Sequence, residues 1–130
     1  MIKLCYKEYQ VKMSLGAMKQ FKQATGKDLW CSLLLFLEAF YGHKKGDSTL
    51  SLCTSLYKVM DFETASHVFH SLINASGEKV SLDELEDAMF RVGWLPSTKD
   101  DDFGEPWPMI MVALASECDQ QLKAQEVKKP

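Results

Sequence analysis

The most apolar part of the chain is the stretch 29–41 (LWCSLLLFLEAFY), in which only Ser32 and Glu38 are polar. Asp28 before it and Gly42 after it are residues typical of helix ends, so the pattern predicts one helix between them. A helix that is apolar on nearly all sides must be covered by its own domain or by another chain. A membrane-spanning helix needs about 20 residues, so this shorter stretch is not expected to cross a membrane.

Five further helices are predicted, because apolar residues recur every three or four positions in five other segments. In the first of them, Leu15, Met18 and Phe21 are expected to face the interior. The clearest helix start is the S-x-x-E capping box formed by Ser81 and Glu84. In chain order these helices cover residues 15–25, 49–60, 62–74, 82–92 and 108 to about 124.

The first 13 residues alternate apolar and polar side chains, which indicates an extended arm or a weak hairpin rather than a helix. The apolar positions are Ile2, Leu4 and Tyr6, followed by Tyr9, Val11 and Met13. The predicted fold is mainly α, a compact bundle of about six helices with a short extended or β N-terminal arm. Its expected parts are the arm at 1–13, one helical domain at 14–124 and a frayed tail at 125–130, with Trp94 docked on the core.

The composition is that of one globular domain, since hydrophobic residues make up 46% of 130 residues. Fifteen Lys and Arg stand against 18 Asp and Glu, a net charge of −3. This balance argues against binding to nucleic acid, where clustered cations neutralise phosphates. The four widely spaced cysteines are expected to be free, buried thiols in a reducing cytosol. The first residues lack the apolar run of a signal peptide.

Patterns that would indicate catalysis or metal binding are few. His67 and His70 could present two imidazoles from one helix, but no Asp, Glu or Cys stands nearby as a further ligand, so we expect solvated side chains. A calcium loop with Gly77 at its sixth position would place Leu72 where an acidic ligand belongs, so calcium binding is not expected. The sequence predicts a protein that is not an enzyme and uses no cofactor.

The charges are segregated along the chain. Residues 1–27 contain six lysines and one acidic residue, whereas residues 78–105 contain nine acidic and three basic residues. Oppositely charged ends favour head-to-tail contacts between copies, which close into rings or continue as spirals, although a chance dipole on a monomer explains the pattern equally well. Phe90 falls between Asp83 and Asp87 on the helix surface, either as a contact residue or tucked under a loop.

The candidate functional residues are therefore positions for self-association or partner contact, and none is catalytic or metal-binding. They combine the basic and acidic ends with large apolar side chains. The set comprises Lys19, Lys22, Trp30, Phe36, Asp83, Asp87, Phe90 and Trp107.

The order of these features resembles that of the tail assembly chaperones of long-tailed bacteriophages, over roughly residues 5 to 120. The resemblance is carried by the segment 15–29 (LGAMKQFKQATGKDL), by the apolar helix after it and by the later segments 80–86 (VSLDELE) and 92–94 (VGW). Many of those proteins have an acidic residue after the Phe of the first helix, whereas here Lys22 follows Phe21.

The resemblance implies a helical protein of the infected host's cytoplasm that is absent from the mature virion. Such chaperones self-associate, also as spirals, coat the tape measure protein and contact tail tube subunits. An alternative is a small helical adaptor or regulator that acts as a stable homodimer through Trp30 and its neighbours. A third reading is an enzyme subunit whose active residues lie on another chain.

Overall fold

The computed structural model describes residues 1–43, 48–93 and 105–128. Within these ranges the chain forms six helices and one hairpin, which confirms the predicted mainly α bundle with a short β segment at its N-terminus. The elements are β1 (Ile2–Leu4), β2 (Lys7–Tyr9), α1 (Leu15–Thr25), α2 (Leu29–Tyr41), α3 (Thr49–Val59), α4 (Phe62–Ala75), α5 (Leu82–Val92) and α6 (Trp107–Lys128). The predicted docking of Trp94 lies outside the described residues.

Short polar side chains set the first residue of five helices. Each accepts a hydrogen bond from the backbone N–H three residues later, which satisfies a donor that the helix itself leaves unpaired. The caps are Ser14, Asp28, Ser48, Asp61 and Ser81, bonded at 2.8 to 3.1 Å to the N–H groups of Ala17, Cys31, Ser51, Thr64 and Glu84. These caps explain why the predicted helix starts are confirmed at those five positions.

Two glycines end helices for different reasons. Gly26 follows α1 in the left-handed region with φ 76°, where a side chain would be strained. Gly42 follows α2 with φ −79°, so it is not needed for its backbone angle. A Cβ at Gly42 would lie 2.9 Å from the Glu38 carbonyl oxygen, so only glycine permits this close approach.

Helix α4 is the central helix of the bundle, and α1 and α5 pack against it. Its buried residues are Thr64, Ala65, Ser66, Val68, Phe69, Ser71, Leu72 and Ile73. The Ser66 hydroxyl donates to the Glu63 carbonyl at 2.6 Å, so this buried polar group is satisfied within the helix. Helix α2 lies outside this centre and packs against α1, α3 and α6.

The N-terminal hairpin packs into the core. Its antiparallel register pairs Ile2 with Tyr9 and Leu4 with Lys7, and Cys5 in the turn has φ 61°, an uncommon value for a residue other than glycine. Gln121 of α6 fixes the following segment, because its amide donates to the Val11 carbonyl and accepts from the Met13 N–H, both at 2.9 Å. The buried residues are Ile2, Leu4, Tyr9, Val11 and Met13.

Three local expectations differ from the structure. Leu15 is 67% exposed, because α1 turns Ala17 and Phe21 inward and Leu15 lies about 200° around the helix from Ala17. Tyr6 is exposed because it belongs to the hairpin turn and not to a strand. Helix α6 continues to Lys128, beyond the end expected at about 124. Among the described helices, none is long and apolar enough to cross a membrane.

Candidate interaction surfaces

The outer face of α2 is a stripe of large apolar side chains. Trp30 is 40% exposed, Leu34 60% and Tyr41 71%, while Leu37 between them is half-buried. Their spacing of four, three and four residues places all four side chains on one side of the helix. We call Trp30, Leu34, Leu37 and Tyr41 the α2 seam. The fold covers the inner side of α2 and leaves the seam at the surface.

A groove runs beside the seam, between α2 and the C-terminal half of α6, with a volume of about 360 Å³. Its lining includes the seam residues, Leu33, Ala115, Cys118 and Leu122, with Asp119 and Lys123 on the α6 side. Asp119 and Lys123 form an ion pair with each other at 2.9 Å. The groove is therefore mainly apolar, and the charges on its rim are already balanced.

The groove continues past Trp30 toward α1. A second depression of about 350 Å³ shares Met13, Trp30 and Leu122 with the first. It adds Lys12, Ser14, Leu15 and Met18. The Trp30 indole N–H donates to the Met18 sulfur at 2.7 Å, which fixes the ring between the two depressions. The exposed Leu15 thus adjoins the same surface as the seam.

Two cysteines close to these helices are buried and unreactive. Burial raises the pKa of the Cys118 thiol to about 12, and burial also raises the pKa of Cys53 above its usual value. A nucleophilic cysteine needs a lowered pKa, so neither thiol has the environment of a catalytic residue. All four cysteines are unbonded, and Cys31 on α2 is exposed, contrary to the expectation of burial.

The second candidate surface is the acidic side of α5. Asp83 and Asp87 are exposed there, and Phe90 is 80% exposed, so its ring is not tucked under any part of the chain that the structure describes. Asp87 accepts a hydrogen bond from Arg91 Nε at 2.9 Å within the same helix. A bare phenyl ring beside a carboxylate is a surface feature that favours contact with another protein.

The basic N-terminal region is divided between two places. Lys7 of the hairpin lies 3.9 Å from Glu84 of α5, so part of the opposite charge meets within one molecule. Lys19 and Lys22 on α1 are exposed and form no ion pair with the residues that the structure describes. Lys27 donates to the Thr64 hydroxyl at 3.1 Å. The charges available to another copy are thus fewer than the sequence count suggests.

The structure leaves six of the eight candidate residues at the surface: Lys19, Lys22, Trp30, Asp83, Asp87 and Phe90. Phe36 is fully buried, because it lies on the inner side of α2, and Trp107 is 1% exposed. The Trp107 ring packs against Tyr57 and Phe62, with centroids 6.2 and 6.4 Å apart. Both residues stabilise the core, and their side chains are not available to a partner in this structure.

Sequence reasoning missed two exposed residues of the seam, Leu34 and Tyr41. The signal was present, because counting four, seven and eleven residues from Trp30 gives Leu34, Leu37 and Tyr41. The neighbouring stripe, about 100° around the helix, is also apolar and includes Leu29, Leu33 and Phe36. Periodicity alone therefore could not tell which stripe faces water.

The two histidines of α4 are both half-buried, so the expectation that they are solvated is wrong. His70 Nε2 lies 3.0 Å from the Val80 carbonyl oxygen, and Nδ1 lies 3.4 Å from the Gln20 amide nitrogen. His70 Nε2 also lies 3.0 Å from Asn74 Nδ2, and the direction of these hydrogen bonds depends on the tautomer of the ring. In either tautomer His70 links α4 to α1 and to the segment before α5. Within the described residues, no group of three or more His, Cys, Asp or Glu side chains could hold a metal ion.

Comparisons of the chain with known protein families, with curated proteins and with solved structures found no match. Any functional argument therefore depends on the residues and surfaces of this chain. Among the residues that the structure describes, two such surfaces stand out: the α2 seam with its groove, and the acidic side of α5 around Phe90. Exposed apolar side chains of this kind suit binding to other polypeptides by exclusion of water.

Proposed function

We propose that this protein is a non-structural tail assembly chaperone of a long-tailed bacteriophage. In this proposal it self-associates, coats the tape measure protein and recruits tail tube subunits in the host cell cytoplasm, and it is not part of the mature virion. It acts without catalysis, without a cofactor and without contact to nucleic acid or membrane. The proposal joins the sequence resemblance to the surfaces described above.

The observation that carries the proposal is the exposure of large apolar side chains on two helices that pack against different neighbours. Trp30, Leu34 and Tyr41 lie on α2, which packs against α1, α3 and α6, whereas Phe90 lies on α5, which packs against α4 and β1. A protein that must contact copies of itself and an extended apolar partner needs more than one such surface. Many weak contacts along a partner add up by multivalency and can still be released.

Charge supports the self-association part of the proposal. Lys19 and Lys22 present positive charge on α1, and Asp83 presents negative charge on α5, where Asp87 beside Phe90 is already paired with Arg91. Contact between the basic α1 of one copy and the acidic α5 of the next would be heterologous and would leave both ends open for further copies. Such contacts between exposed charges are weak and sensitive to salt, which suits a transient coat.

The direct test is co-expression with the tape measure protein encoded in the same genome. That protein is produced alone and together with this chain, and the soluble fraction of each culture is compared. The expected result is that the tape measure protein aggregates alone and is recovered as a soluble complex with several copies of this chain. Recovery that does not depend on this chain would contradict the proposal, as would a genome without a tape measure gene.

A second candidate function is supported by the α2 seam. A small helical adaptor or regulator would use Trp30, Leu34 and Tyr41 to form one stable homodimer. Apolar contacts are little affected by salt, whereas contacts between exposed charges are screened. A dimer that persists unchanged in high salt, together with no affinity for the tape measure protein, would favour this second function over the chaperone.

A further inference from the structure

The α2 seam has a palindromic order of residues. Along the helix it is aromatic, leucine, leucine, aromatic, with spacings of four, three and four: Trp30, Leu34, Leu37 and Tyr41. If two copies of α2 lie antiparallel about the middle of this stripe, Trp30 of each faces Tyr41 of the other. Leu34 then faces Leu37 in both directions. A surface that matches itself under a two-fold rotation is what an isologous dimer requires.

The spacing also matches helix pairing. Apolar residues alternately four and three positions apart form the seam along which two helices pack in coiled-coil geometry. The next stripe around the helix is Cys31, Leu35 and Glu38, which is exposed and contains a carboxylate. The neutral, apolar character therefore belongs to the seam and not to the whole outer surface of α2.

Charge does not oppose the approach of an identical copy. The net charge of −3 gives only a weak repulsion between two copies, which salt screens, so the charges at the contact itself matter more. The four seam residues carry no charge, and the nearest charged residues on the α6 rim, Asp119 and Lys123, neutralise each other. A second copy can thus enter this groove without burying an unpaired charge.

The area is sufficient for the apolar part of a dimer interface. Taking about 200 Å² for a fully exposed large side chain, the exposed fractions of Trp30, Leu34 and Tyr41 correspond to roughly 350 Å² per copy. A standard interface buries about 800 Å² per partner, of which about 57% is apolar. The seam with the adjoining Leu15 supplies most of that apolar share, and the α6 rim supplies the polar edge.

We propose that the α2 seam binds a second copy of this chain, with the two α2 helices antiparallel across a two-fold axis. Each α2 lies in the groove of the other copy, beside the α6 of that copy. The α2 and α6 helices of the two copies then form one packed layer. This contact goes beyond the proposed function, since it differs from the head-to-tail contact in surface and symmetry. A symmetric dimer would be the unit that any salt-sensitive head-to-tail assembly repeats.

The first test compares two leucines that are neighbours in sequence. Leu34 lies on the seam, and Leu35 lies on the next stripe with 47% of its surface exposed. Sedimentation equilibrium is measured on the full chain at high salt, where contacts between exposed charges are screened. We expect a dimer whose dissociation constant rises at least about tenfold in Leu34→Glu and changes less than about twofold in Leu35→Glu.

Both substituted side chains are solvent-exposed, so at a protein concentration low enough for the wild type to be monomeric both variants should keep its thermal unfolding curve, which is measured as a control. A wild type that stays monomeric at high salt would overturn the proposal. Equal weakening by the two substitutions, or weakening by Leu35→Glu alone, would also overturn it, because the contact would then lie elsewhere on the chain. The co-expression test above fails or succeeds independently of these outcomes.

The second test establishes the direction of the helices. In a background with Cys5→Ser and Cys31→Ser, the variants Trp30→Cys and Tyr41→Cys are purified separately, then treated with a short bis-maleimide alone and as a mixture. Cys53 and Cys118 are buried and should not react. Cross-linked dimer is expected mainly in the mixture. Efficient cross-linking of either variant alone would indicate parallel helices, and no cross-linking in any sample would place the contact away from the seam.

Discussion

Helices α2 and α4 have nearly the same length, but the more apolar of the two, α2, buries fewer residues. Helix α2 has two polar residues among 13 and buries four residues, whereas α4 is more polar and buries eight of its 14. The more apolar helix is thus the one left at the surface. The outer side of α2 is only partly covered by its own described fold: Trp30 contacts Met18, and Leu37 packs against the core, whereas Leu34 and Tyr41 stay exposed.

Small polar residues allow α4 to occupy the centre. Ser66 and Ser71 are buried, and their short side chains let neighbouring helices approach closely. The Ser66 hydroxyl is satisfied by the Glu63 carbonyl, so its burial leaves no unpaired donor. Hydropathy measures the free energy that a surface would gain on burial. The fold determines whether that surface is buried within one chain. The apolar surface of α2 that the fold leaves exposed is available for association.

The two helices should differ most in how much free energy of unfolding is lost when one of their leucines is replaced by alanine. Leu72→Ala in α4 removes a fully buried side chain and should lower the free energy of unfolding by about 2–5 kcal/mol. Leu34→Ala in α2 removes a side chain that is 60% exposed and should change it by less than about 0.5 kcal/mol. Urea denaturation at low protein concentration measures both. Equal losses would show that the seam is needed for folding.

Enlarging a small residue tests how tightly α4 is packed. Ser66 is fully buried, so Ser66→Leu inserts extra volume where neighbouring helices leave no room. We expect a loss of about 1–3 kcal/mol in the free energy of unfolding. Ser66→Ala, which removes only the hydroxyl, is the matched control and should cost less. If Leu is tolerated as well as Ala, α4 is not the closely packed centre of the bundle.

The cap of α4 should contribute a smaller, pH-dependent stabilisation. The hydrogen bond from the Thr64 N–H to the Asp61 carboxylate, at 2.9 Å, lowers the pKa of Asp61 from its ordinary value. Because the folded-state pKa is the lower one, this stabilisation is complete above about pH 4 and is lost as the pH falls through the folded value. Asp61→Ala should cost about 1 kcal/mol at neutral pH.

The control for this cap is Asp61→Asn, which keeps a side-chain oxygen for the Thr64 N–H but cannot titrate. Thermal unfolding from neutral to acidic pH should show that Asn preserves most of the stability and removes the acid-dependent part assigned to Asp61. An Asn variant with the same acid dependence as the wild type would assign that dependence to other carboxyl groups.

The smallest expected effect on stability, with a clear effect on association, comes from charge reversal on α1. The double variant Lys19→Glu/Lys22→Glu should unfold within about 0.5 kcal/mol of the wild type, because both side chains are exposed. At low salt it should reduce the mass of any assembly larger than the dimer, measured by light scattering. Lys58→Glu on α3 is the control. An unchanged mass would exclude the basic side of α1 as a contact surface.

The sequence predicted the helices better than the surfaces. Helix ends follow from local chemistry, such as the bond from Asp28 to the Cys31 N–H, and local chemistry is visible in the sequence. Which side of α2 faces inward depends on the distant helices α3 and α6. Phe36 and Leu34 are both apolar residues of that helix, yet one is fully buried and the other 60% exposed. Only the fold separates them.

Phe90 shows when a surface residue can be predicted. It stands on the charged side of an amphipathic helix whose apolar side includes Leu85 and Met89, so the pattern places it away from the core, and the structure shows that it is exposed there. Trp107 offered no such contrast, because the residues around it in the sequence do not separate an apolar side of α6 from a charged side. Its burial depends on the rings of Tyr57 and Phe62, which lie far away in the sequence.

We propose that the exposed apolar surface of α2 serves association between chains and not folding of one chain. The most direct test is the mass of the unmodified chain by sedimentation equilibrium, from about 1 µM to about 500 µM protein and at low and high salt. We predict a mass that rises above the 14.8 kDa of one chain with concentration in both salts. A mass that stays at 14.8 kDa under every condition would contradict the claim.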